Sequence, residues 1–185
     1  VSNTWEFTTS TGEVAILITN VGEKESDLAI KAHLEQQFGF DVLLIDDDTV
    51  DTSATEEGKF LIEDAQALDV KLVYVSSPVN SNKAGAQPWH ASGIPLVNVE
   101  QADIDNFQYA SGAGAIANNV TAVVIQAPGH PIAAGFPEGE VSFTDGFLPG
   151  SSTGSHHAGN NAIVTGDTVT VVATLPGGQA GLVGF

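Results

Sequence analysis

The chain has 185 residues, with 23 acidic and 5 basic side chains and a formal net charge of −18. It has no cysteine, which excludes a thiol nucleophile, a CxxC redox pair and a cysteine-ligated zinc or iron–sulfur centre. The charge argues against nucleic acid and anionic membranes as partners, and no apolar run reaches the roughly 20 residues that cross a bilayer, so no membrane insertion is expected.

A chain of this length is expected to form one α/β domain, 1–185, burying roughly 70% of its unfolded surface without covalent staples. It reads as three stretches: an N-terminal edge strand within 1–12, βα units over 13–126, and a β-rich extension over 127–185. Residues 4–10 form a short strand with Trp5 and Phe7 on one face. Residues 14–19 (VAILIT) are a continuous apolar run, as in a strand covered on both faces. Ser26 or Asp27 caps a helix running to about Phe38, with Leu28, Ala32, Leu34 and Phe38 inward and Gly39 ending it. Residues 41–46 (DVLLID) are a second buried strand.

A second helix starts at Ser53 or Thr55, with Phe60, Leu61, Ala65 and Leu68 on one face. Residues 71–76 (KLVYVS) are a third strand, 81–91 a weak helix broken at Pro88, 94–99 a fourth strand, and 102–109 a short helix. Residues 121–126 (TAVVIQ) are a fifth strand. Strands alternating with helices mark an α/β fold with a doubly wound, mainly parallel sheet. Residues 140–144, 168–174 and 181–185 also read as β, as an edge extension or a small antiparallel addition.

In such sheets ligands bind where strands end, so the segments after each strand hold the candidates. Asn20 opens the loop 20–26 (NVGEKES), which lacks the GxGxxG and GxxxxGK[ST] phosphate loops and carries two glutamates that repel phosphate. Asp46, Asp47 and Asp48, with Asp51 nearby, are a carboxylate cluster of the kind that suits Ca²⁺ or Mg²⁺, without EF-hand spacing; a solvated turn with aspartate caps accounts for the same residues. Ser76 and Ser77 end the third strand, where a serine acts as nucleophile if a histidine lies in reach; Ser-Pro is also a plain turn signal, and no GxSxG elbow is present.

Glu100 and Asp103 follow the fourth strand and, with the 46–48 acids, offer carboxylate pairs for glycosidase chemistry. His130 stands in GHPIAAGF, bracketed by Gly129 and Pro131, and reads as part of a fixed turn. His156 and His157 lie in a Gly/Ser/Asn loop, where neighbours in extended chain point to opposite sides and make a poor metal pair. Asn119 opens an N-x-[ST] sequon, and Trp5 and Trp89 are core or strand-edge aromatics before they are sugar platforms.

Taken in order, VAILITN at 14–20, DVLLIDDD at 41–48, VYVSSPVNSNKAG at 74–85, IPLVNVE at 94–100 and GHPIAAGF at 129–136 carry a resemblance. Over roughly 13–183 the chain resembles the flavodoxin-like domains related to class I glutamine amidotransferases and trehalose-utilisation (ThuA-like) proteins. More narrowly, it resembles the Cys-less modules of that type within large secreted bacterial proteins. Amidotransferases of this class need a cysteine nucleophile, so the resemblance implies the fold without the glutaminase reaction. No residue is assigned a catalytic role, and no cofactor beyond Ca²⁺ at the acidic cluster.

The chain opens without methionine and ends in an apolar run, 180–185, which reads as a mature product or a piece of something longer. Few lysines and no cysteine fit a secreted or cell-surface bacterial protein. The expected function is a non-catalytic extracellular module, whose partners are neighbouring domains of a longer chain or a second copy. The alternatives are a hydrolase on a sugar or ester, and a filament subunit whose contacts are the uncharged segments 110–118 and 146–166.

Overall fold

The computed structural model describes residues 12–20, 24–108, 111, 115–118, 122–130, 133, 135–142, 154–157, 170–174 and 180–184. The expected strand at 4–10, Trp5, Asn119 and most of 110–118 and 146–166 lie outside these residues or outside their described side chains. The chain divides into two compact units, Val1–Phe107 and Gln108–Phe185.

The first unit holds strands β1 (Val14–Thr19), β2 (Asp41–Asp46), β3 (Leu72–Val75) and β4 (Leu96–Asn98). Between them lie helices α1 (Glu25–Phe38), α2 (Asp47–Val50), α3 (Ile62–Ala67) and α4 (Ser81–Ala84), with 3₁₀ turns at Trp89–Ala91 and Gln101–Asp103. The strands form an all-parallel sheet in the order β2-β1-β3-β4, the flavodoxin-like order over its first four strands. Leu17 is paired to Leu44 on one side and Tyr74 on the other. Because both faces are covered, Ala15, Ile16, Leu17 and Ile18 all lose their solvent exposure, which explains the unbroken apolar run. Ala15 and Leu17 pack with Leu34 of α1 and Val42, joined by Ile30, Phe40, Leu44, Leu72 and Tyr74. Ile16, Ile18, Val73 and Val75 alternate to the opposite face and are equally buried.

Helix α1 ends as the sequence predicts. Gly39 sits in the left-handed region at φ 74°, and the Gly39 and Phe40 N–H groups bond to the Glu35 and Leu34 carbonyls. Its start and inward face differ from expectation. Lys24 is the N-cap, and Asp27, Ile30 and Leu34 face the sheet, while Leu28 and Phe38 are exposed. The second helix begins only at Ile62, because the buried Gln87 holds the preceding stretch as a loop. Its Nε2 donates to Val50 O and Phe60 O, and its Oε1 accepts from Ile62 N. The weak helix at 81–91 resolves into α4 and a 3₁₀ turn, separated at Pro88.

The second unit contains β5 (Ala115–Asn118), β6 (Ala122–Ile125), β7 (Gly139–Ser142), β8 (Gly154–His157), β9 (Thr170–Thr174) and β10 (Ala180–Gly184). Strands β10-β9-β6-β7 form an antiparallel sheet, and β5 pairs with β8. Its core joins Ile125, Ala133, Val172 and Ala173, with Val123 and Val141 against them. The run expected as a fifth parallel strand is therefore β6 of an antiparallel sheet; a short apolar run is the same in either ladder, and here β7 and β9 supply its partners. The segment read as a histidine loop is strand β8, with His157 opposite Ala115 and His156 opposite Ile116.

Candidate functional site

The strand order reverses between β1 and β3, so the crevice at the carboxyl ends of these two strands is where an open α/β sheet binds a ligand. Thr19 closes β1 and Ser76 follows β3, their side chains on the α1 face. The carboxylate of Asp27, in the first turn of α1, meets both. Thr19 Oγ1 donates to Asp27 Oδ2, and Ser76 Oγ donates to Asp27 Oδ1. All three side chains are buried. A carboxylate in the first turn of a 14-residue helix is also favoured by the helix dipole. The half-buried Tyr74 phenol is pushed up by burial and by the nearby Asp27 charge.

Ser76 therefore spends its hydroxyl proton on a carboxylate and is withdrawn from solvent, while Ser77 is exposed. Asn20 is half-buried at the end of β1, and residues 21–23 of its loop lie outside the described residues. His130 belongs to the second unit, in a turn where its N–H bonds to Ala127 O.

The acidic cluster after β2 is real: single oxygens of Asp46, Asp47 and Asp48 lie within 4.8 Å of one another. It is not, however, a simple solvated turn. Asp46 caps α2 by accepting Asp48 N at 2.9 Å. Asp47 is fully buried; its Oδ2 accepts Asn80 N at 2.7 Å and its Oδ1 accepts Lys83 Nζ at 3.2 Å. The same ammonium reaches Asp48 Oδ1 at 2.5 Å, and these hydrogen bonds hold its pKa above the usual lysine value. Lys59 Nζ adds a bond to Asp48 O. Two of the five basic residues thus attend this segment, and an ion entering it competes with Lys83. Asp51 stands outside the trio and caps a turn at Ser53 N, hydrogen bonds that hold its carboxyl low.

After β4, Glu100 and Asp103 are both buried. Glu100 Oε1 accepts Ala102 N at 3.0 Å, and burial pushes its pKa up. Among the described residues, Asp103 receives one long bond, from Asn106 Nδ2 at 3.4 Å to Oδ1, and its Oδ2 has no hydrogen-bond partner. Burial, then the Glu100 and Asp105 charges, push Asp103 up to about 8. This pair therefore follows the strand end, as expected, but is not set in an open cleft. Burial also lowers the pKa of His90, whose ring lies 6.4 Å from that of Phe107. A groove of about 390 Å³ lies elsewhere in this unit, between Thr52, Ile62, Gln66, Gln87 and Pro88 among others; it is lined by none of the sequence-predicted site residues.

Three participants escape sequence reading: Asp27 as an inward acid, Lys83 as an internal counter-ion, and Asn106 as the link from the Asp103 turn to Ser81 O. The available signal for Asp27 is its spacing from Ile30 and Leu34, together with hydroxyl residues ending two apolar strands. The fold defines an α/β protein with a parallel sheet whose central crevice is bridged by its own carboxylate. The chain matches no protein-family model and no curated protein.

Proposed function

We propose that the chain is a non-catalytic α/β module of a larger secreted or surface bacterial protein, with a structural or interaction role toward neighbouring domains or a second copy. The observation that carries this reading is the Asp27 bridge. At the switch point, where a flavodoxin-like sheet presents loops to a ligand, Thr19 and Ser76 are hydrogen-bonded to a buried carboxylate of the same chain. A serine held in this way has its hydroxyl committed to a carboxylate that also accepts Thr19, and it is withdrawn from substrate. The missing cysteine and the resemblance to Cys-less secreted modules support the same reading.

The test is a turnover screen over esters and glycosides, paired with thermal shift against nucleotides and flavins. The expected result is no turnover and no shift. Ester hydrolysis that disappears in Ser76→Ala while the fold persists overturns the proposal.

A further inference from the structure

The buried acids of the first unit do not share one environment. Asp27 is held by two hydroxyls, and Asp47 by an amide and an ammonium. Asp103 is fully buried, yet among the described residues Oδ2 has no hydrogen-bond partner and Oδ1 only the long bond from Asn106. Glu100, three residues earlier on the same turn, brings a second carboxylate close enough to repel it and keeps a small exposure of 6%.

Among the described residues, no lysine pairs with either acid. Lys83, on the α4 helix that packs against this turn, is committed to Asp47 and Asp48. His90, near Phe107, is held toward its neutral form by burial. A buried carboxylate oxygen without a donor calls for a ligand that supplies positive charge.

We propose that Glu100 and Asp103 form a binding site for a hard divalent cation, Ca²⁺ or Mg²⁺, with Asp103 Oδ2 as the inner ligand and Glu100 as the ligand nearest solvent. Such ions take carboxylate oxygens and complete their shells with carbonyls and water, so two carboxylates suffice as the protein anchor. The ion gives Oδ2 the partner it lacks and cancels the repulsion within the pair. A proton cancels the charge as well, but it turns Oδ2 into a hydroxyl donor that itself needs an acceptor. The proposal is independent of the functional reading above, since a structural module and an enzyme both accommodate a structural ion.

The test uses the full chain, stripped with chelator and titrated calorimetrically with CaCl₂ and with MgCl₂ at neutral pH. One of the two ions is expected to bind saturably, one per chain, and to raise Tm by about 3–6 °C at a tenfold excess over its Kd. Asp103→Asn and Glu100→Gln each weaken binding at least about tenfold, as loss of a ligand does. Asp48→Asn, in the other acidic cluster, leaves binding intact. Melts in chelator confirm that each variant is folded, and if Asp103→Asn does not fold, Glu100→Gln carries the test. Absence of saturable binding by either ion overturns the proposal. So does binding that survives both the Asp103 and Glu100 substitutions, or binding lost with Asp48→Asn.

Discussion

Ser76 Oγ donates to Asp27 Oδ1 across 49 residues of sequence, and this bond joins the end of β3 to the first turn of α1. Thr19 adds the end of β1 to the same carboxylate. The switch point of the sheet is thereby tied at one polar knot, on the same face as the apolar packing of Leu17, Leu34 and Tyr74.

Removing the carboxylate leaves two buried hydroxyls without their acceptor. Asp27→Ala is expected to cost about 2–4 kcal/mol, read from urea denaturation. In the Asp27→Ala background, Ser76→Ala should cost less than it does in the parent, because the bond it breaks is already gone. Equal costs in the two backgrounds would show that the two side chains are energetically independent.

The two acids that share Lys83 should respond unequally. Asp47 is buried and accepts two hydrogen bonds, while the Asp48 side chain is mostly exposed. Asp47→Ala is expected to lose about 3 kcal/mol and Asp48→Ala about 0.5 kcal/mol or less, measured by the same denaturation. A reversed order would place the important charge pair on the surface.

Asp103 makes stability depend on pH in a direction opposite to that of most salt-bridged acids. Its ordinary value is 3.8, and in the folded chain it is pushed up to about 8. Between these values the native state holds a proton that the unfolded chain has released. The contribution of this group to stability therefore falls as pH rises from about 4 to about 8, and is level above that. With chelator present, Asp103→Asn should gain on the parent progressively over that window. A constant difference between the two across the window refutes the assignment.

Gly85 is required by close approach, not by its backbone angle, since its φ of −76° suits any residue. A Cβ there meets Asn106 Nδ2 at 2.3 Å and Asn106 Cβ at 2.6 Å, so alanine displaces the side chain that bonds Ser81 O. Gly85→Ala is expected to cost about 1–3 kcal/mol, as overpacking does. Adding Asn106→Ala should recover part of this, and a calorimetric Tm series over the two single variants and the double variant checks it.

Much of the first unit is legible in the chain. The runs at 14–19 and 41–46 are strands of a parallel sheet because covered strands need apolar residues on both faces, and Gly39 stops α1 because its backbone must turn left-handed. The inward face of α1 was harder to read. Leu28 and Phe38 look like core residues by composition, but the helix is rotated so that Asp27 reaches the hydroxyls at the strand ends. Likewise 121–126 is recognisably a strand, yet its ladder is decided by β7 and β9, distant segments that no local periodicity names.

The sequence by itself determined the strands of the parallel sheet, the helix between the first two of them, the absence of thiol chemistry and the excess of negative charge, because these follow from local pattern and residue identity. Only the tertiary structure decided how the acids are used. Asp27 meets Ser76, Asp47 meets Lys83 across 36 residues, and Asp103 is buried with one oxygen unpartnered. The physical reason is that a carboxylate's role depends on the donors and charges brought to it by folding, and the sequence carries the same aspartate in all three cases.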